Sequence, residues 1–505
     1  MTILNSFVSW IIKKRIHQID LFRKYPVDVQ NEHFKKLIST AKNTGWGKEY
    51  DYNSINNISD FRERVPVQDY ESLKPYIERV MKGEQNLLWP GETKWFAKSS
   101  GTTSDKSKFI PVTQESLEEC HYKCGKDMLS IYCNNFEETK IFAGKSLMMG
   151  GSHQINSMNN DTFYGDLSAV LIQNMPLWAQ FLRSPELSIA LMDNWEMKIE
   201  RMAESTMNEN ITNIAGVPSW TMVLLKRILE ISGKKNLLEI WPNLELFMHG
   251  GVSFTPYREQ FQKLIPSSKM NYLETYNASE GFFGIGDVPH SEELLLMLDY
   301  GIYYEFIPMN EFDRENPKTI TLEEVKINEN YAVVISTNSG LWRYILGDTV
   351  KFTAVNPFRI KITGRTKHFI NAFGEELMIE NAEKALKVAC DKTNALIKEY
   401  TAGPIFMNEG STGGHEWLIE FEQEPENMEK FIVYLDNALK AVNSDYEAKR
   451  FNDFVLKMPI IHTMQKNTFY EWLKNKGKLG GQNKVPRLAN DRKYIEEILS
   501  MKPQI

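Results

Sequence analysis

The chain is 505 residues long, more than one ordinary core accommodates, so two or more domains are expected. Hydrophobic residues make up 42% and charged residues 25%, the balance of a globular protein and not of a disordered one. A formal net charge of −7 offers no general attraction to a phosphate backbone, which argues against nucleic acid as the main partner.

No run of about 18 apolar residues is present, so no membrane-crossing helix is expected. At the N-terminus, Phe7, Val8, Trp10, Ile11 and Ile12 precede Lys13, Lys14 and Arg15. A secretory leader has its charges before the apolar stretch, so an amphipathic helix packed on the body is the better reading. Residues up to about 90 read as helices with loops. Lys94 to Ala97 suits a short strand running into the polar loop Lys98 to Lys108, and a helical pattern follows from Ser116 to about Tyr132.

Helical periodicity continues over Leu177 to Met207 and Trp220 to Ile231. Between them, Gly216-Val217-Pro218-Ser219 is a stop-and-start signal with Ser219 as candidate N-cap. Strand patterns follow at Leu244 to Met248, Met270 to Thr275, Leu294 to Leu298, Ile302 to Ile307 and Tyr331 to Ser336. Thr349 to Ala354 and Arg359 to Thr363 flank Val355-Asn356-Pro357-Phe358 and predict a hairpin. Beyond Gly364 come shorter units: a helix near Ile379 to Asp391, a strand near Glu416 to Phe421 and a helix from Pro425 to Val442. This α/β (α+β) pattern divides the chain into a large unit over 1–363 and a small one over 364–505, with the boundary at Gly364 to His368.

The four cysteines (Cys120, Cys124, Cys133, Cys390) contain no CxxC pair and read as reduced structural thiols of a cytoplasmic protein. The histidines show neither HxxxH nor HExxH spacing, which argues against a histidine-built metal centre.

The most informative segment is Ser99-Ser100-Gly101-Thr102-Thr103-Ser104. Its hydroxyls offer donors to phosphate oxygens, its glycine lets backbone N–H groups approach, and Lys106 and Lys108 add positive charge downstream. A solvated serine-rich turn is the plainer alternative. The segment is not a Walker loop: the one Gly-Lys-Ser (Gly144, Lys145, Ser146) has Thr139 where the first glycine belongs. Gly281, Gly284 and Gly286 lack the dinucleotide-binding spacing, and Gly250-Gly251-Val252-Ser253 lacks the flanking glycine of a nucleophile elbow.

The segment SSGTTSDKSK resembles the phosphate loop of adenylate-forming enzymes, in particular the acyl-acid amido synthetases of the auxin-responsive Gretchen Hagen family and its bacterial relatives. Four further segments match in order. His249-Gly250-Gly251 looks like the glycine pair lying along the adenine, and Tyr276-Asn277-Ala278-Ser279-Glu280 like the Tyr-x-x-Ser/Thr-Glu motif. Tyr344-Ile345-Leu346-Gly347-Asp348 is similar to the ribose-binding Gly-Asp motif, and Gly364-Arg365-Thr366-Lys367 to the interdomain hinge. Gln482 to Arg487 is similar to a family segment carrying a lysine. No proline intervenes before Lys108, unlike the loop of acyl-CoA synthetases, and Asn371 falls where many relatives carry a lysine serving the coenzyme A half-reaction. The second departure favours the amide-forming branch over an acyl-CoA synthetase.

The resemblance implies a large adenylate-forming domain with mixed sheets and flanking helices, followed by a small mobile one. It implies ATP and Mg²⁺, a small carboxylic acid and an amino acid as partners, in a monomer. By the same resemblance Ser99, Ser100, Gly101, Thr102 and Thr103 hold the β- and γ-phosphates with Lys108, or alternatively Lys106. Gly250, Gly251 and Tyr276 meet the adenine, Ser279 the α-phosphate, and Asp348 the ribose, with Arg365 near the ribose or phosphate. Glu280 is the Mg²⁺ ligand. Lys484 stabilises the adenylation transition state, with Lys478 as rival. Plainer readings stand beside these: Asp348 as a turn residue, Lys484 in a solvated loop, Tyr276 as packing and His249 as a buried histidine. Trp178, Phe181, Trp220, Met222 and Leu225 are candidate walls of the acyl pocket, with ordinary core as the alternative.

Overall fold

The computed structural model describes residues 10, 12–99, 108–150, 156–157, 161–192, 194–251, 254, 257–312, 314–366, 370, 375, 377–406, 413–443, 446–447, 450, 456–478, 484–489 and 491–501. For Ser99, Leu177, Trp178, Trp195, Glu196, Ser219 and Arg365 it describes the backbone alone.

Eleven strands form one large mixed sheet, in the spatial order 302–308, 330–337, 344–355, 358–365, 294–296, 281–285, 271–278, 246–250, 211–216, 145–148, 183–184. From 302–308 to 271–278 every neighbour is antiparallel; from 271–278 to 183–184 every neighbour is parallel. Ile302–Pro308 and Asn330–Thr337 are buried on both faces, as their near-continuous apolar runs require. Thr349 to Ala354 and Arg359 to Thr363 do form the expected hairpin, lengthened to Tyr344–Val355 and Phe358–Arg365. A four-stranded sheet carries Lys108–Val112 antiparallel to Trp95–Ser99, with Ser99 opposite Lys108. A three-stranded sheet of Leu396–Ile405, Gly414–Gln423 and Ile460–Met464 lies in the C-terminal part. The helices Ile379–Thr393 and Met428–Val442 pack there through Leu386, Phe431 and Leu435.

The N-terminal helix Ile16–Lys24 buries Ile19 and Phe22. Arg15 anchors it to Asp127 at 2.8 Å and Asp299 at 2.5 Å, both on the far side of the sequence. No described helix is long and apolar enough to cross a membrane.

Two expectations need correction. The helix expected over Leu177 to Met207 is broken into Leu177–Gln180, a short strand Arg183–Ser184, Leu187–Ala190 and Trp195–Thr206. Pro185 supplies the reason, since it has no N–H to donate and holds Ser184 extended. Ser219 is not the cap of the next helix: Pro218–Ser232 starts with its proline at the first turn and Val217 at the cap position.

A second hydrophobic core joins residues far apart in the chain. Ile214, Trp220 and Phe247 share it with Leu418, Trp472, Val485 and Ile495. The C-terminal part therefore seats on the parallel half of the large sheet through apolar contact as well as through the Lys226–Glu422 ion pair at 2.9 Å.

Candidate active site

The parallel strands 145–148, 211–216, 246–250 and 271–278 end together, and ligands in open α/β sheets bind beyond such carboxyl ends. A cavity of about 1480 Å³ lies there. Alternation along each strand sends Ser146, Met148, Asn213, Ala215, Met248, Gly250, Thr275 and Asn277 to one face, and all of them line it. His121 and Tyr122, at the junction of a π-helical turn (Leu117–His121) and the helix Tyr122–Asn135, line it too. Ser279, Glu280, Asp348, Thr366, Lys108 and Lys484 complete the lining.

Lys108 and Glu280 meet on one hydroxyl. The Lys108 ammonium lies 3.5 Å from the Tyr344 oxygen, and that hydroxyl donates to Glu280 Oε1 at 3.3 Å. Ser99 and Lys108 face each other at the end of the strand pair, so strand pairing brings that end to the Glu280 corner. Ser100, Gly101, Thr102, Thr103 and Lys106 lie outside the described residues, as does the side chain of Ser99. Tyr344 opens the segment similar to the ribose-binding motif, but its bridging role carried no sequence signal, because its partners are 64 and 236 residues away.

Asp348 is 5% exposed and accepts a 2.8 Å hydrogen bond from the Tyr276 hydroxyl. The Tyr276 ring is not on the cavity wall; it packs on Phe283 at 4.9 Å, in the main core. Asp348 pairs through its backbone with Arg365 in the adjoining strand, and the Arg365 side chain, Lys367 and Asn371 are outside the description. Thr366 donates its N–H to the Gly347 carbonyl at 2.9 Å, which ties the chain leaving the sheet to the Asp348 turn.

Gly250 and Gly251 are where two elements come close. A Cβ on Gly250 would sit 2.5 Å from Thr275 Oγ1 and 2.6 Å from its carbonyl oxygen. Gly251 has a φ of +83°, which L side chains rarely adopt, and the Lys484 ammonium donates to its carbonyl oxygen. Lys484, not Lys478, reaches the cavity wall. His249 is 2% exposed and stacked on Phe254 at 4.2 Å. Burial, and then Arg258, push its pKa down to about 3, so it is neutral. His121 is 7% exposed, and burial pushes its pKa down to about 4.

The apolar walls differ from those expected. Trp220 and Met222 are buried in the second core, along with Leu225, and none of the three lines the cavity. The helix that carries them turns this face to the sheet and the C-terminal part. Phe181 is 79% exposed, and the Trp178 side chain lies outside the description. The wall is built instead by Leu171, Ile172, Met175, Pro176, Ala179 and Leu182. The apolar run Ala169–Ile172 was the available signal for it.

A large mixed sheet with strand ends that gather a lysine, an acidic tip and a buried aspartate defines an adenylate-forming fold. Solved structures agree on that fold: an acyl acid amido synthetase, GH3.15, superposes with TM-score 0.79 at 17% identity over 97% of this chain and 96% of its own. A 2-hydroxyisobutyryl-CoA ligase holding its acyl-adenylate superposes with TM-score 0.57 at 12% identity over 93% and 91%. Residues 15–270, 295–365 and 380–493 match the GH3 family N-terminal, central and C-terminal domains, and the chain belongs to the GH3 family. Among curated relatives, the Arabidopsis thaliana indole-3-acetic acid-amido synthetase GH3.3 is 22% identical, covering 93% of this chain and 90% of its own. The Nicotiana attenuata jasmonoyl–L-amino acid synthetase JAR4 is 25% identical, covering 66% and 68%.

Proposed function

We propose that this protein is an ATP-dependent ligase that adenylates a carboxylic acid and transfers the acyl group to the amine of an amino acid. Family membership along nearly the whole chain supports this, together with relatives named for that class of reaction. The observation that carries it is the convergence of Lys108 and Glu280 on the Tyr344 hydroxyl, at the edge of a cavity that has an apolar wall.

A carboxylate does not expel oxide when an amine attacks it at neutral pH. Attack of that carboxylate on the α-phosphorus of ATP instead releases pyrophosphate and leaves AMP as the later leaving group. Negative charge grows on the phosphate oxygens, so fixed donors supply most of the rate. On this reading Lys108 and the hydroxyl loop hold the β- and γ-phosphates, and Ser279 meets the α-phosphate. Asp348 accepts from the ribose hydroxyls while Tyr276 holds it in place. Gly250 and Gly251 keep the strand end bare so that the base can lie against backbone. Lys484 releases the Gly251 carbonyl and donates to the α-phosphate as charge develops there. The amine then attacks the acyl carbon, the C–O bond to phosphate breaks, AMP leaves and the nitrogen gives up a proton.

Glu280 fits a Mg²⁺ site. Among the described residues no cluster of three or more acidic, histidine or cysteine side chains surrounds it, and Mg²⁺ is commonly held by one or two carboxylates with phosphate oxygens. When bound, Mg²⁺ would neutralise charge on the phosphates. We further propose a division into two domains near residue 364 and action as a cytoplasmic monomer; the four cysteines held as thiols support a reducing compartment.

The test is ATP–pyrophosphate exchange across a panel of carboxylic acids, followed by mass spectrometry of products with amino acids present. Acid-dependent exchange without amine, then an amide with AMP, is the expected result. Thioester with coenzyme A and no amide, or no exchange with any acid, would overturn the reading.

A further inference from the structure

The helix Tyr122–Asn135, with the π-helical turn before it, runs along the large sheet and is tied to it at both ends. At the reacting end the N–H of Phe282, two residues past Glu280, donates to the Cys120 sulfur at 3.3 Å. At the other end the Asn271 amide donates to the Tyr132 hydroxyl at 3.1 Å, and Asn271 begins the strand whose far end leads to Ser279. From Cys120 to Tyr132 the helical rise covers roughly 18 Å. The cavity follows the same course. Ser279 and Glu280 line it at one end; at the other it is lined by Ile141, Phe142 and Gly144, which precede the strand Lys145–Met148.

The walls of this stretch are mainly carbon. Tyr122, Gly125, Lys126 and Leu129 share one helix face, and all four line the space. Leu171, Ile172 and Met175 form a second wall, and the Tyr122 hydroxyl donates to the Leu171 carbonyl at 3.0 Å, joining the two. Met148, Ala215 and Met248 form the floor. The cations on the lining are accounted for: Arg15 pairs with Asp127, and Lys126 is exposed, so its ammonium stays in water. A Cβ on Gly125 would meet nothing within 4 Å, so the helix leaves the space beside it open. At about 1480 Å³ the cavity also exceeds the roughly 300–1,000 Å³ that one small molecule occupies.

We propose that the acid is a long-chain aliphatic carboxylic acid, its carboxylate at the Glu280 corner and its chain laid past Gly125 and Leu129 toward Ile141 and Phe142. The inference rests on the ligase reading above. An extended hydrocarbon built of 1.5 Å bonds advances about 1.3 Å per carbon, so roughly 18 Å takes about 14 carbons. Each methylene moved from water onto these walls favours binding roughly three- to fourfold. A short acid would leave the same walls facing water that they cannot hydrogen-bond. Along the helix Gly125 lies about 8 Å from Cys120 and Leu129 about 14 Å, so the two mark about six and ten carbons of chain.

The test is ATP–pyrophosphate exchange with straight-chain acids of graded length, each below its micellar concentration. In wild type kcat/KM should climb roughly three- to fourfold per added methylene and level off near about 14 carbons. Gly125→Phe fills the open space one turn along the helix, so the climb should stop near about six carbons, and the ratio of kcat/KM for dodecanoate to that for pentanoate should fall tenfold or more. Leu129→Trp, one turn further on, should stop it near about ten. Circular dichroism melts check that both variants fold; if Gly125→Phe does not, Leu129→Trp carries the test. A flat profile in wild type, exchange supported by short or aromatic acids alone, or a cut-off that does not move with the position of the substitution overturns the proposal and leaves the ligase reading standing. Should no acid support exchange, the ligase reading fails, and the channel still answers to a thermal shift. Dodecanoate should raise the Tm of wild type more than that of Gly125→Phe, and an equal rise overturns the channel.

Discussion

The ammonium of Lys484 donates to the carbonyl oxygen of Gly251, bringing the C-terminal part of the chain onto the end of a central strand of the large sheet. Val485 beside it is buried in the core shared with Trp220 and Phe247, so the approach is held by packing and not by the lysine alone. Lys484→Ala should therefore leave the fold and ATP affinity nearly intact while slowing pyrophosphate exchange about 10²- to 10³-fold. Calorimetric ATP binding measured beside exchange rates checks this. Parallel losses in both would reduce the lysine to a binding group.

Gly250 is constrained from the neighbouring strand. In Gly250→Ala the new methyl meets the Thr275 hydroxyl at 2.5 Å and its carbonyl at 2.6 Å, so two paired strands must separate. A loss of about 1–3 kcal/mol in urea unfolding and a sharp fall in exchange are expected. Gly125→Ala is the control: nothing lies within 4 Å of its Cβ, it sits inside a helix, and it should be neutral or slightly stabilising.

Asp348 and Tyr276 separate binding from positioning. Asp348→Ala should raise the KM for ATP at least about tenfold, since it removes the acceptor for two hydroxyls. Tyr276→Phe removes one hydrogen bond to that carboxylate, and about 1 kcal/mol, or roughly fivefold in KM, is expected. An unchanged KM in Asp348→Ala would remove the ribose assignment.

His121 makes stability depend on acidity. Burial depresses its pKa from the usual 6.5 to about 4, so as pH falls the unfolded chain takes up the proton first. The stability it contributes is complete above about pH 6.5 and is lost as pH drops toward 4. At pH 5 the loss from this residue comes to about 2 kcal/mol. In His121→Leu the difference between urea midpoints at pH 7 and pH 5 should shrink accordingly. A difference as large as that of wild type would show that His121 stays uncharged in neither state or in both.

Much of the antiparallel half of the sheet was legible, because Ile302–Pro308 and Asn330–Thr337 are apolar runs of strand length bounded by turn residues. In the parallel half Leu246–Gly250 and Asn271–Ala278 were legible too, but Ile211–Gly216, Lys145–Met148 and Arg183–Ser184 were not. Ile211–Gly216 and Lys145–Met148 are short and mix polar with apolar residues without strict alternation, and periodicity alone read through Pro185 as helix. Of the site, the residues that the family resemblance pointed to, Gly250, Ser279, Glu280 and Asp348, do line one cavity. Trp220 and Met222 were misplaced as pocket walls because an apolar helix face carries no record of which neighbour it will meet.

The sequence by itself determined the family resemblance, the hydroxyl-rich segment ahead of Lys108, and the positions where the chain bares its backbone with glycine. These are local: each depends on residue type and on neighbours a few places away. Only the tertiary structure decided that Lys108 and Glu280 share the Tyr344 hydroxyl and that Lys484 is the lysine to reach Gly251. Those meetings follow from strand order and from the long-range burial of apolar faces, which join residues that no local pattern relates.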